Sequence, residues 1–164
     1  MAMLEECLKA NQRYAATFKE GHLPLPPAKK LAVVACMDAR LMVDQVLGLK
    51  NGDAHVIRNA GGLVTDDALR CLVISYHLLG TREFFVIEHT GCGMLTFEEE
   101  PVKQQIAKAT NSDTSTLRLY PFKNLEENLR AQVRKIKASP WLPKDVPVHG
   151  LIYQVEDGRL RQVV

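Results

Sequence analysis

Leu31–Arg40 reads LAVVACMDAR, and its first five residues decide the fold. An unbroken apolar run of that length, enriched in valine, is the pattern of a short strand buried on both faces. The run gives way at once to Cys36, Met37, Asp38, Ala39 and Arg40. Toward the C-terminus, strand-like and helix-like segments alternate. Leu41–Leu47 reads as a short helix closed by Gly48, and Ala54–Ile57 as a second short strand. Thr65–Leu79 is a strong helix: Thr65 is its N-cap, Asp66 and Asp67 suit the positive end of its dipole, and Gly80 stops it. Glu83–Glu88 is a third strand. Pro101–Ala109 is a helix with proline in its first turn, where the missing N–H costs little. Asn124–Ala138 is another, with Leu125, Leu129, Val133 and Ile136 at helical spacing and Asn124 and Glu127 at the spacing of a capping box. Val148–Val155 is a final strand, and Asp157-Gly158 turns the chain into Arg159–Val163. Alternation of this kind predicts an α/β fold with a mostly parallel central sheet flanked by helices and an antiparallel C-terminal edge hairpin.

Working outward toward the N-terminus, residues 2–18 predict an amphipathic helix with Leu4, Leu8, Tyr14 and Phe18 on its apolar side. The proline-rich LPLPP, Leu23–Pro27, then holds the chain extended. Residues 1–27 are therefore expected to form a helical arm and connector, either packed on a partner subunit or folded back on its own core. At 164 residues, without an internal repeat, residues 1–164 are expected to be one domain. The polar stretch Thr110–Thr116 is expected to be a loop.

Composition excludes more than it selects. The chain is 46% hydrophobic and 24% charged, with a formal net charge of +2. That is too apolar for disorder, and no apolar run reaches the roughly 18 residues needed to cross a membrane. Glu5 and Glu6 stand where an export signal would be apolar, so a cytoplasmic location is expected. With no basic run longer than two residues, nothing points to nucleic acid. Four cysteines remain to be explained. Cys7 and Cys71 lie in helical apolar patterns and are expected to be buried apolar filler. Cys36 and Cys92 each follow a strand-like run, and His89 precedes Cys92 in HTGCG.

Ligands of parallel α/β sheets bind beyond the carboxyl ends of the strands. Cys36, Asp38 and Arg40 follow the first strand, Arg58, Asn59, Gly61 and Gly62 the second, and His89, Cys92 and Gly93 the third. If these strands are neighbours, one crevice collects two thiols, an imidazole, a carboxylate and a guanidinium. Thiolate sulfur and imidazole nitrogen are preferred zinc ligands. Asp38 is the nearby candidate for a fourth position, and Arg40 can hold it away through a two-pronged pair. A position left to water lowers that water's pKa to about 7, making hydroxide available at neutral pH. The residues alone leave an open catalytic zinc, a closed structural zinc and no metal all standing.

ACMDAR, VIRNAGG, HTGCGM and HGLIYQVEDGRL resemble the β-class carbonic anhydrases, in particular the short prokaryotic type, from about Asn11 to Leu160. The resemblance implies an α/β fold, a homodimer or higher homo-oligomer in which the first helix packs on the partner, and Zn2+. It implies Cys36, His89 and Cys92 as metal ligands and Asp38 and Arg40 as the catalytic dyad, with Asp38 a fourth ligand in a closed form. Gly91 and Glu88 depart from the pattern: the short type often has aspartate at the first position and a small residue or histidine at the second. These departures bear on the shape and charge of the crevice and therefore on substrate. The expected activity is reversible hydration of carbon dioxide to bicarbonate. Hydrolysis of carbonyl sulfide or carbon disulfide at the same zinc is the alternative, and a non-catalytic zinc-bound dimeric binding module is a third reading.

The remaining residues carry paired readings. His55 is either a proton shuttle or an ordinary strand residue, and His77 is a core or interface histidine. Gly61 and Gly62 either admit the backbone close to the zinc pocket or simply turn the chain. Arg58 and Asn59 shape the crevice rim, or the arginine pairs with an acid elsewhere. The Gly93 amide is expected near the ligand sulfurs. Leu63, Val64 and Met94 line a small apolar pocket for a linear uncharged substrate, or belong to the core. Trp141, between two prolines, is expected to be a packing residue.

Overall fold

The computed structural model describes residues 2–164; Met1, the first residue of the expected arm, lies outside them. In chain order the elements are α1 (Met3–Thr17), β1 (Leu31–Cys36), α2 (Val43–Leu47), β2 (Ala54–Asn59), α3 (Asp66–Leu79), β3 (Glu83–His89), α4 (Glu99–Thr110), α5 (Leu125–Ala138), β4 (Val148–Tyr153) and β5 (Leu160–Gln162). The strands form one sheet in the order β2-β1-β3-β4-β5. The first four run parallel, and β5 lies antiparallel on β4. The expected α/β fold with its antiparallel edge is therefore the observed one.

Burial follows from that order. β1 lies inside the sheet, with a neighbour on each side, and all six of its residues are buried. β2 is an edge strand and keeps only half-buried and exposed positions. Ala32, Val34, Phe84 and Val86 pack on Ala68 and Leu72 of α3 and on Leu129, Val133 and Ile136 of α5. Leu31, Val33, Ala35 and Ile87 pack on Leu41, Val43 and Met94 on the opposite side. Each large apolar side chain so buried contributes roughly 1.5–3 kcal/mol. Truncating Leu129 to alanine is expected to cost about 2–5 kcal/mol.

The expected caps are present. The Thr65 hydroxyl accepts from the Ala68 amide at 3.3 Å, and Asn124 Oδ1 accepts from the Glu127 amide at 3.1 Å. Pro101 sits in the first turn of α4, which starts two residues earlier than the sequence suggests. β4 ends two residues earlier, at Tyr153, and the final strand is only three residues long.

α1 buries none of its residues. Leu4, Leu8, Tyr14 and Phe18 are all exposed. This corrects the reading of Cys7, which is exposed, and of Cys71, which is half-buried. The apolar side of α1 is real, but among the described residues nothing in its own chain buries it. Trp141 is also exposed, and its backbone carbonyl lies 2.7 Å from His77 Nε2, an exposed histidine rather than a core one. Among the described residues, no helix is long and apolar enough to cross a membrane.

Candidate metal centre

Parallel register brings the polar strand ends together. Cys36 is level with Asn59 of β2, and Ala35 is level with Ile87 of β3. Two residues past Ile87 is His89, and the tight turn after it returns Cys92 to the same place. The ligating atoms of Cys36, His89 and Cys92 all lie within 4.8 Å of one another, and all three residues are buried. Four-coordinate zinc at ordinary bond lengths needs donor–donor edges of roughly 3.5–3.8 Å, so the cluster requires only a small contraction.

The local chemistry fits a soft divalent cation. His89 Nδ1 lies 2.8 Å from the Thr90 carbonyl, a contact that puts the ring hydrogen on Nδ1 and leaves Nε2 its lone pair. Nε2 is buried and has no hydrogen-bond partner. An orphaned imidazole nitrogen facing two cysteine sulfurs is a costly arrangement unless a cation completes it. Cys92 beside it, with His89 and the backbone amides of Asp38 and Gly61, pulls the Cys36 thiol down despite burial. Cys92 is pushed up by the neighbouring Cys36 and by burial. Burial pulls His89 down, but the Cys36 thiolate, the Thr90 carbonyl and Asp38 more than offset it and leave it raised. The amide directed at Cys92 is that of Met94, one residue past the Gly93 the sequence suggested.

Asp38 stands at the rim. Arg40 grips it with both prongs: Nε to Oδ1 at 2.9 Å and Nη2 to Oδ2 at 2.8 Å, with the Arg40 amide adding a third bond to Oδ1 at 2.9 Å. Nη2 also donates to the Gly91 carbonyl at 3.1 Å, tying the two ligand loops together. Arg40 holds the Asp38 carboxyl well below the usual carboxylate range. Asp38 Oδ2 lies 3.6 Å from His89 Nε2, so the carboxylate borders the donor cluster while both its oxygens are engaged elsewhere.

The β2–α3 connection forms the wall. Gly62 has φ +67°, and a Cβ there would stand 2.8 Å from the Ile87 carbonyl and 2.9 Å from the Cys36 amide, so only glycine fits. Gly61 has φ +83° and is ringed by Met94, Phe122 and Leu63. Of the paired readings for Gly61 and Gly62, close backbone approach is the one realised. Asn59 brackets Leu63, donating to its carbonyl at 2.7 Å and accepting from its amide at 2.8 Å. Among the described residues, Arg58 pairs with no acid. It donates to the Cys36 carbonyl at 3.0 Å and the Asp38 carbonyl at 2.7 Å, clamping the backbone between them. His55 lies four residues back along β2, roughly 13 Å from the strand end, with Nδ1 2.7 Å from Ser75 Oγ. It belongs to the far side of β2 and not to this crevice.

The sequence reading missed what lies behind His89. Glu88, 1% exposed, turns to the opposite face, where its Oε1 accepts from Asn128 Nδ2 of α5 at 2.7 Å. Its Oε2 is buried without a partner. Burial pushes the Glu88 carboxyl up to about 9, against the lowering pull of Asn128. The signal was present as Asn128 and Gln132, two polar residues one turn apart on the apolar side of α5, but sequence alone did not say what they faced.

Comparison with known proteins follows the same outline. A family profile described as carbonic anhydrase matches residues 31–160. The chain is 45% identical over 164 residues to beta-carbonic anhydrase 1 of Mycobacterium tuberculosis, covering 99% of each. It is 35% identical over 178 residues to a carbon disulfide hydrolase of Acidithiobacillus thiooxidans, covering 96% of this chain and 87% of that one. A solved carbonic anhydrase structure from Streptococcus mutans superposes with a TM-score of 0.95 at 43% identity, covering 100% of this chain and 99% of that one.

Proposed function

The chain belongs to the carbonic anhydrase family, and from that premise we propose that it catalyses the reversible hydration of carbon dioxide to bicarbonate at a zinc ion. Cys36, His89 and Cys92 would hold the metal. The observation that carries this reading is the buried sulfur–nitrogen–sulfur cluster with an orphaned His89 Nε2, bordered by a carboxylate that Arg40 keeps fully engaged. Zinc, when bound, supplies the Lewis acidity that brings a water ligand's pKa to about 7.

The chain's own residues do the rest. Asp38 stays ionised at working pH, so it accepts a hydrogen bond from the attacking water and orients its lone pair toward the substrate carbon. Arg40 holds Asp38 in that orientation and keeps it from taking the fourth position itself. The rotation that would free Asp38 to bind metal in a closed form must break both prongs of that pair. Leu63 and Met94, both buried beside Gly61, give the uncharged linear substrate an apolar wall. A near-neutral chain suits such a substrate, which gains nothing from electrostatic steering.

We further propose that the exposed apolar side of α1 packs on a second copy, making a homodimer or larger homo-oligomer, that residues 1–164 act as one unit, and that the protein works in the cytoplasm. The test of function is stopped-flow carbon dioxide hydration on zinc-loaded protein, run beside sulfide release from carbonyl sulfide and carbon disulfide. Hydration that Asp38→Ala abolishes, with zinc retained, supports the proposal. Sulfide release with negligible hydration would transfer the same residues to the hydrolase reading, which the 35% identical relative favours.

A further inference from the structure

The polar groups behind the donor cluster form one directed chain. The Val64 amide donates to Gln132 Oε1 at 2.9 Å, Gln132 Nε2 donates to Asn128 Oδ1 at 3.0 Å, and Asn128 Nδ2 donates to Glu88 Oε1 at 2.7 Å. Each amide donates with one end and accepts with the other, so neither can flip without breaking two bonds. Such chains polarise along their length and strengthen one another. Both ends are fixed to parts of the candidate site. Glu88 precedes His89 on β3, and Val64 follows Leu63, the wall residue beside Gly61. The Val64 carbonyl is also held, by Lys135 Nζ at 3.0 Å. Extended backbone between a strand and a helix ordinarily bonds to water. Here Leu63 and Val64 have their amides and carbonyls bound by side chains from β2 and α5.

We infer that Glu88, Asn128 and Gln132 are positioning residues: a partly buried strut that, through the core residue Val64, sets the distance between the His89 strand and the Leu63 wall, and with it the fit of the substrate. None of the three touches the reacting groups, so the strut acts on substrate affinity rather than on the chemical step. The inference rests on the proposed hydration reading, because the wall it positions is that reading's substrate crevice. It also gives Glu88 a use: a long acceptor that reaches from β3 to α5.

The test measures two things on zinc-loaded protein: kcat and KM for carbon dioxide, and the hydrogen-exchange rate of the Val64 amide. Asn128→Leu cuts the strut without opening a cavity, Glu88→Ala removes its anchor, and Glu88→Gln keeps the acceptor. Asn128→Leu and Glu88→Ala are each expected to raise KM by roughly three- to tenfold, the size of one net hydrogen bond, with kcat little changed. Val64 exchange should quicken by a similar factor. The double variant should be no worse than Asn128→Leu alone, and Glu88→Gln should retain parental KM. Unchanged Val64 exchange in Asn128→Leu overturns the strut, as does faster exchange with an unmoved KM. A fall in kcat at constant KM, or zinc loss confined to Glu88→Ala, overturns it in favour of a direct role for Glu88 at the metal. If the parent hydrates no carbon dioxide, the functional proposal falls, and the exchange measurement alone decides the strut.

Discussion

Two carboxyl groups flank the Cys36–His89–Cys92 cluster and meet opposite fates. Asp38 stands at the rim with a guanidinium on both oxygens and is held well below the usual carboxylate range. Glu88 lies behind the cluster with one amide on one oxygen, and burial pushes it up to about 9. One acid is charged and available to a reacting water; the other is neutral through most of the physiological range and available only to α5. Residue type does not assign a role here. A sheet gives successive side chains opposite faces, so the strand that aims His89 at the two cysteines must aim Glu88 away from them.

Cys92→Ser removes the centre that both acids flank, and it should lose bound zinc and turnover together, read by metal analysis beside stopped-flow assay. Asp38→Asn should lower kcat by about a hundredfold or more while zinc content and fold are retained, the size expected for a positioned acid–base group. An equal loss from Glu88→Gln would erase the distinction between the two acids. Arg40→Gln should cost roughly tenfold in activity, as is usual for a residue that only orients its neighbour. In crystals of that variant Asp38 should be found turned toward the cluster.

The smallest effect is on stability against pH, and its sign differs between the acids. The Asp38 value is depressed in the fold, so its contribution is present above its ordinary 3.8 and is lost as pH falls through the lower folded value. The Glu88 value is raised from 4.5 to about 9, so the fold holds a proton that the unfolded chain releases. The parent should therefore lose stability as pH climbs between those two values. Urea unfolding of metal-free protein should show the fall in stability between pH 4.5 and about 9 flattened in Glu88→Gln, and the loss below pH 3.8 flattened in Asp38→Asn. Parallel slopes in the two variants would contradict the assigned environments.

Much of this was legible in the sequence because it was local. The valine-rich run before Cys36, the Thr65 and Asn124 caps and the Asp157-Gly158 turn depend on neighbours within a few residues. The cluster itself was legible because parallel strands must end at one edge, which turns sequence positions after each run into spatial neighbours. What stayed hidden was long-range or face-dependent. Glu88 and Asn128 are forty residues apart, and only the packing of α5 on β3 makes them partners. Arg58 sat in a recognisable motif, yet its targets are backbone carbonyls that no side-chain pattern announces. Cys7 was misjudged because an apolar helix side predicts that something covers it, not that its own chain does.

The strand order has a consequence for how the molecule is made. β1 lies between β2 and β3, so the end that carries Cys36 cannot meet His89 until α3 has crossed over and β3 has been delivered. Long-range pairings of this kind come late in assembly, after the entropy of the intervening loop has been overcome. A nascent chain on the ribosome therefore exposes the Cys36 thiol well before it owns a pocket to shelter it. The donor set is complete once Cys92 has followed β3 into place, before β4 and β5 finish the sheet, and a donor set left unfilled leaves the chain finished in sequence but unsealed at this edge.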